Sequence, residues 1–433
     1  MLGEQMGPAN LDDYHWLTGD AAAAWLDGLR HAPAADVQQV ARLRRELSAE
    51  RVHLLLEQTR LRQRATAKFG HLAGRMFFTP VGLEQATDLA VASYKASRFP
   101  VASPVVDFCS GIGGDLMALS QRGPTTGVDQ DPVACHLAAA NAAVLGEPSG
   151  CSSSESLTIT VANVADCDMN GTSAWHIDPD RRPTGKRTTR VELHQPAPEV
   201  IDGLRSACPH AAVKLAPAGV LPAHWAAEAE QEWISRGGEC RQLVAWFAGL
   251  TGRSGMRRAT LVDWADPFDR AAFAQAGEPS QTVQPNFGTH VVLRTIVGQA
   301  GEPVETADAA GRYLYEPDNA VLAADLRGSL AARHKLLGLD RQVAYLTGDT
   351  LLEDAALAAF EVLDVMPFQT RRVRAWVRQH RVGTLEVKQR GTHNDANALA
   401  KELAGDGDNR ATLFVTRARG KVMAILARRV LSS

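Results

Sequence analysis

Residues 105–116 read "VVDFCSGIGGDL", an apolar run that suits a buried strand, with Gly111, Gly113 and Gly114 crowded directly behind it. Three glycines in four positions make a poor strand and a poor helix, because each loses the most backbone freedom and packs no side chain. What they do allow is close approach, since a backbone without Cβ atoms can turn tightly against another molecule. The stretch predicts a strand end that faces a ligand.

Outward from it the period changes repeatedly. Runs that suit strands ("VVDFC", "TTGVD", "SLTITVANV", "AWHIDPD", "AAVKLAP") take turns with helical stretches ("LMALSQR", "PVACHLAAANAAVLG", "EVIDGLRSA"). That alternation predicts an α/β fold, a Rossmann-like parallel sheet with helices on both faces. A helix is expected near Ala223 to Ser235, and "ECRQLVAWF" and "RRATLVDW" after it are read as an antiparallel sheet edge. Glu147 to Ser156 reads as a polar surface loop. Upstream, Asp36 to Lys68 reads as one helix on which Arg60, Arg64 and Lys68 recur every four residues, either a solvated face or a rail for RNA phosphates. Thr79 as N-cap and Pro80 at the first helical position open another helix, expected to run to about Phe99. Beyond Pro267 the signal weakens, and the last part reads as a small α+β domain with an open sheet, in which Trp376 and Phe414 are core residues. Expected boundaries are 1–98 for a helical N-terminal region, 99–266 for the Rossmann-like domain, 267–348 for a small linking α+β module and 349–433 for the C-terminal domain.

At 433 residues the chain is long enough for two or three cores. The net charge of −3 hides opposed regions: residues 371–429 hold 14 Lys+Arg against 5 Asp+Glu, and residues 41–75 hold 9 against 3. Six cysteines form no C-x-x-C pair and stand near no His pair, so neither a metal site nor a disulfide framework is expected. No basic segment leads into an apolar one at the start, and no apolar run reaches about 18 residues, so no membrane contact and a cytoplasmic location are expected.

In a doubly wound sheet, ligands sit outside the carboxyl ends of the strands where strand order reverses. Asp129 falls at the end of the second strand, where a carboxylate can accept both hydroxyls of a ribose. That acid alone does not separate a dinucleotide from S-adenosylmethionine. The glycine turn does so in part: it lacks the G-x-G-x-x-G spacing that sets pyrophosphate on a helix N-terminus, and it offers Asp115 nearby, which a sulfonium or ammonium tolerates better than a pyrophosphate does. On the fourth strand, "HIDPDRR" sets Asp178 at the strand end, fit to orient an amine or ring nitrogen as methyl acceptor, or to act as its base. Arg181, Arg182, Lys186, Arg187 and Arg190 crowd the following loop and suit a phosphate-bearing substrate, a solvated loop being the plainer reading.

"VVDFCSGIGGDL", "GVDQDP" and "IDPDRR" resemble motifs I, II and IV of the class I S-adenosylmethionine-dependent methyltransferases. "MFFTPVGLEQA" at 76–86 resembles the pre-motif segment of trimethylguanosine-synthase-like RNA methyltransferases, and "LEVKQRG" with "TLFVTRARGK" resembles a C-terminal THUMP-like domain. The resemblance covers roughly Lys68 to Val430. It implies that Asp107, Ser110, Gly111 and Gly113 meet the methionine part of the cofactor, with Thr79 nearby, and that Asp129 meets the ribose and Asn163 or Asp166 the adenine. It implies a role for Glu84 and Gln85 at the cofactor edge, and Asp178, which also borders the cofactor, with Arg181 and Arg182 at the methyl-transfer centre. Arg187 of the loop after Asp178 is expected to bind structured RNA, tRNA or rRNA, and the resemblance implies the same for Lys388, Arg390, Arg417, Arg419 and Lys421 in the tail. Three departures stand out. Cys109 replaces the first glycine of motif I, Asp180 and Arg181 stand where amino-methyltransferases carry an aromatic, and "VKLAP" has Lys214 but no Cys after strand five, against a covalent uridine C5 mechanism. A protein or small-molecule acceptor, or a non-catalytic RNA-binding chain, stays open as the alternative.

Overall fold

The computed structural model describes residues 10–30, 37–145, 157–181, 188–264, 290–391, 395–418 and 420–430. The polar stretch Glu147 to Ser156 and the start of the expected linking module, 267–289, lie outside them. The chain divides into two compact units, one of Met1–Ala229, Val244–Ser254 and Val262–Val291, the other of Glu230–Leu243, Gly255–Leu261 and Val292–Ser433.

The first unit opens with helices α1 (Leu11–Thr18), α2 (Asp20–Arg30), α3 (Val37–Leu43) and α4 (Ala49–Phe69). The single helix expected over 36–68 is two, because Ser48 leaves the helical path and its hydroxyl accepts the Arg51 N–H at 3.3 Å, starting α4 afresh. The Thr79 cap is present: its hydroxyl accepts the Gly82 N–H at 2.9 Å and starts α5 (Pro80–Gln85). The helix does not run on to Phe99. Asp88 caps a new one, α6 (Leu89–Ser97), and the chain turns at 86–88. Lys68 is not part of an RNA rail. Its ammonium donates to the carbonyls of Leu83, Glu84 and Ala86 at 2.8, 3.0 and 2.7 Å, satisfying acceptors that the end of α5 leaves orphaned.

Strands β1 (Val105–Phe108), β2 (Thr125–Asp129), β3 (Leu157–Val161), β4 (Ala174–Ile177) and β5 (Ala211–Leu215) are parallel and lie in the order β3-β2-β1-β4-β5, followed by β7 (Glu239–Trp246). The intervening helices are α7 (Leu116–Ser120), α8 (Pro132–Ala143), α9 (Pro198–Ala207) and α10 (Ala223–Glu228). The chain steps outward from β1 to β3 and returns on the other side of β1 at β4, so the order reverses between β1 and β4. Asp107 on β1 is level with Gly127 on β2 and His176 on β4. Leu17, Leu55 and Phe69 of the N-terminal helices share one core with Ile112, Met117 and Leu137.

One polar residue pins the glycine turn to that core. Fully buried Asn141 on α8 donates to the carbonyls of Phe77 and Ile112 at 3.0 and 2.9 Å and accepts the Phe77 N–H at 2.7 Å.

The helix expected up to Ser235 stops at Glu228, and in the second unit Glu230–Arg236 is strand β6. Its Glu230 and Glu232 are fully buried, held by Arg258 at 2.7 Å and by the Thr260 hydroxyl at 2.5 Å. Gly237 and Gly238, at φ +60° and +77°, turn β6 tightly into β7, the mirror-image turn that suits a hairpin. With β8 (Arg257–Trp264) and β9 (His290–Gly298) the order is β7-β6-β8-β9, so neither β7 nor β8 is the expected edge.

A seven-stranded sheet follows, ordered β11-β12-β10-β13-β16-β15-β14. Its strands are β10 (Tyr313–Pro317), β11 (Leu337–Gly338), β12 (Leu346–Gly348), β13 (Leu357–Pro367), β14 (Val382–Arg390), β15 (Asn409–Ala418) and β16 (Lys421–Arg429). Helices Thr370–Gln379 and Ala396–Leu403 lay Val373, Trp376, Val377, Leu399 and Leu403 on its apolar residues, and Trp376 and Phe414 are core as expected.

Asn141→Ala strips three buried hydrogen bonds and is expected to lower the unfolding free energy by about 3 kcal/mol. Urea titration followed by tryptophan fluorescence reads this, and an unchanged midpoint would show that Asn141 does not hold the turn.

Candidate active site

At the reversal between β1 and β4 a cavity of about 710 Å³ opens at the carboxyl ends of the strands. The glycine turn forms one wall. Gly111 and Gly113 sit at φ +53° and +89°, which side-chain-bearing residues rarely adopt. A Cβ on Gly113 would meet the backbone of Ala138 at 3.3 Å, so this glycine lets α8 pack close. A Cβ on Gly111 would meet nothing within 4 Å: this glycine faces open space in the cavity wall. Cys109 also sits at positive φ, +52°, which explains why a glycine suits that position and makes the cysteine strained. Burial first, then the Asp129 and Asp178 carboxylates, push its thiol well above its ordinary range, so it is a poor nucleophile.

Asp129 closes the turn from β2. One of its carboxylate oxygens accepts the Gly111 N–H at 2.9 Å and the other the Asp131 N–H at 3.0 Å, fixing the carboxylate plane at the cavity edge. Asn163 lines the cavity, its side chain accepting the Ala165 N–H at 3.0 Å, whereas exposed Asp166 stands outside the lining. Thr79, Ser110, Asp178 and Arg181 all line it. Arg182, Lys186 and Arg187 lie outside the described residues.

Beneath the turn runs a chain of buried charge that spacing along the sequence does not reveal. Lys95, 2% exposed on α6, lies 2.7 Å from Asp115 and 3.1 Å from Nε2 of His176. An ammonium can only donate, so Nε2 accepts and the ring proton sits on Nδ1, which donates to Asp107 at 2.7 Å. The Thr87 hydroxyl donates to Asp115 at 2.6 Å. Burial alone would raise the Asp115 carboxyl, but Lys95, with Lys214 behind it, holds it well below the usual carboxylate range. Burial lowers Lys95, opposed by Asp115, and raises Asp107, opposed by His176. Asp115, which looked like a free carboxylate beside the turn, is thus paired inward. The only sequence signals were a lysine inside the apolar helix "LAVASYKAS" and a histidine inside the apolar strand "AWHI".

Two buried polar atoms at the wall, Oδ2 of Asp107 and Oγ of Ser110, have no partner among the described residues. With the open face of Gly111 they form a polar cradle suited to an ammonium and a carboxylate.

In the second unit, Lys388 pairs with Glu316 at 2.7 Å, and Arg390 lies 3.5 Å from the same carboxylate and over the Tyr345 ring. Arg417 donates to the Gly391 carbonyl at 3.2 Å, Lys421 is exposed, and Arg419 lies outside the described residues. Among the described residues no cluster of His, Cys, Asp and Glu could hold a metal ion, and no helix is long and apolar enough to cross a membrane.

Residues 357–429 match the THUMP domain-like family, and residues 10–65 match Domain of unknown function (DUF8688). Two relatives, from Mycobacterium tuberculosis strains CDC 1551 and H37Rv and each named an uncharacterized S-adenosylmethionine-dependent methyltransferase, are 32% identical over 379 residues, 85% of this chain and 93% of theirs. The chain belongs to the S-adenosylmethionine-dependent methyltransferases. This methyltransferase has S-adenosylmethionine as its cofactor. It shares its fold with a crystal structure named as a methyltransferase from Porphyromonas gingivalis W83, with a TM-score of 0.69 over 98% of this chain and 100% of that one at 16% identity.

Lys95→Met leaves the Asp115 carboxylate buried without its ammonium, and the methyltransferase is expected to lose about 3–5 kcal/mol of stability. A change below about 1 kcal/mol in denaturant unfolding would show that Lys95 is not the partner that matters. At Cys109 the order of stability is expected to be Gly at least equal to Cys, and Val lower by about 2 kcal/mol, because a β-branched residue suffers most at positive φ. Melting temperatures of the two variants read this, and a Val variant as stable as the native chain would show that the turn relaxes.

Proposed function

We propose that this methyltransferase transfers a methyl group to a base of structured RNA, tRNA or rRNA. The observation that carries the reading is the THUMP domain-like match at 357–429 in the same chain as the cavity, since THUMP domains bind structured RNA.

The cradle of Asp107, Ser110 and Gly111 holds the methionine part of the cofactor, Asp129 grips the ribose and Asn163 meets the adenine, while Gly113, expected beside them, serves the packing of α8 instead. S-adenosylmethionine, when bound, supplies an electrophilic methyl group on a sulfonium. Charge supports that placement: the carboxylates that line the cavity outnumber Arg181 in its wall together with Lys95 and Lys214 paired behind it, leaving surplus negative charge where a sulfonium and an ammonium would lie. Asp178 accepts a hydrogen bond from the acceptor nitrogen, aligning its lone pair for in-line attack and taking up its proton. Arg181, in the cavity lining, meets a phosphate. Glu84 and Gln85, at the end of α5, shape the cofactor edge. Lys421 and the exposed arginines of helix Thr370–Gln379, Arg371, Arg372 and Arg378, carry the RNA backbone more readily than the Glu316-paired Lys388 and Arg390.

Asp129→Ala removes two charge-assisted bonds and is expected to weaken cofactor binding about 100-fold or more by calorimetry, at about 1.5 kcal/mol or more per bond. Undiminished affinity would overturn the ribose assignment. Asp178→Ala is expected to keep cofactor affinity and abolish transfer of radiolabelled methyl to RNA from cells lacking the gene. Label appearing in the protein or small-molecule fraction instead would refute the RNA reading, and full activity of the variant would refute the role of Asp178.

A further inference from the structure

Strand β5 carries one charge. Ala211, Ala212, Val213 and Leu215 around it are at most 1% exposed, and Lys214 itself is 7% exposed, a place where lysine is found only with a partner. The partner is Asp178. The Lys214 ammonium contacts Oδ2 of Asp178 at the end of β4, and lies 3.5 Å from the Gln85 carbonyl that ends α5. Gln85 in turn reaches back with its amide to Asp180 at 3.4 Å. One cation therefore joins three elements that meet at the cavity mouth, and it engages one oxygen of a carboxylate that lines the cavity.

A carboxylate turns about its terminal bond with little resistance, because that torsion is broad and two-fold. Seating Oδ2 on a buried ammonium fixes the plane and with it the direction of Oδ1, which has no partner among the described residues. We propose that Lys214 is a positioning residue for methyl transfer, aiming Oδ1 of Asp178 at the acceptor nitrogen. The proposal rests on the reading of Asp178 as the group that orients the acceptor. A misplacement of about 1 Å at such a group costs about 100-fold in rate, so the pair governs turnover more than binding.

The test uses the full chain, radiolabelled S-adenosylmethionine and RNA from cells lacking the gene. Lys214→Met is expected to keep cofactor affinity within about threefold by calorimetry and to lower kcat about 100-fold with KM nearly unchanged, and Lys214→Arg to recover most of the loss. Lys214→Gln, which keeps a donor for Oδ2 and tolerates burial if the Met variant fails to fold, is expected to lose about tenfold in kcat. Asp178→Asn is expected to be as impaired as Lys214→Met, with no further loss when the two are combined. Melting curves taken without cofactor give a second readout: the double variant is expected to regain part of the midpoint lost by Lys214→Met, since it no longer leaves a half-buried carboxylate unpaired. Native kcat in Lys214→Gln beside an inactive Asp178→Asn overturns the role of Lys214 and leaves that of Asp178 standing. Full activity in Asp178→Asn overturns the underlying reading instead, and strictly additive losses in the melting cycle overturn the pairing itself.

Discussion

An ammonium that water cannot reach must find its counter-charge inside the protein, and Lys95 finds it beneath the glycine turn. Asp115 comes from the start of α7, His176 from β4, and Asp107, through His176, from β1. The register that sets Asp107 level with His176 makes the bridge possible, and the bridge in turn fixes the register against slippage. Because the chain bonds in one direction only, it also decides the histidine tautomer and leaves one oxygen of Asp107 for the cavity. The two halves of the site, on either side of the strand reversal, are held at a set distance by charge rather than by apolar packing alone.

The parts of this arrangement that were legible in the sequence all lie where a period changes. The glycine turn, Asp129 and Asp178 each end a short apolar run, and their placement at the cavity follows from the architecture that such runs imply. Lys95, His176 and Lys214 were not legible, because each depends on a partner brought in by the fold: Lys95 and His176 are 81 positions apart, and Lys214 and Asp178 are 36 apart. Helix ends failed for a local reason. Ser48 and Asp88 interrupt helical patterns whose apolar spacing carries on across them, and capping outweighed the pattern. At β6 the composition "AAEAEQEW" favours helix, yet buried pairing of Glu230 and Glu232 with Arg258 and Thr260 overrides it.

The second unit shows how far a count of charges falls short of a surface. Lys388 and Arg390 stand on a strand and look available for a polyanion, but both reach the Glu316 carboxylate on β10 of the same sheet, and Lys388 also lies near Glu386. The arginines of helix Thr370–Gln379 face solvent because Val373, Trp376 and Val377 claim the opposite side of the helix for the core. Placement, rather than the excess of basic residues, distinguishes the charges that solvent can reach.

The three hydrogen bonds from Lys68 to the end of α5 have a bearing on ancestry. Glu84 and Gln85 in the cavity wall hang from a helix whose last turn is closed by a side chain from the N-terminal helical region. That region cannot be exchanged by recombination as an interchangeable appendage, because a donor lacking a cation at this position would lose the three hydrogen bonds that close the helix end beside the wall. Inheritance would favour the N-terminal helices and the catalytic sheet travelling together as one piece.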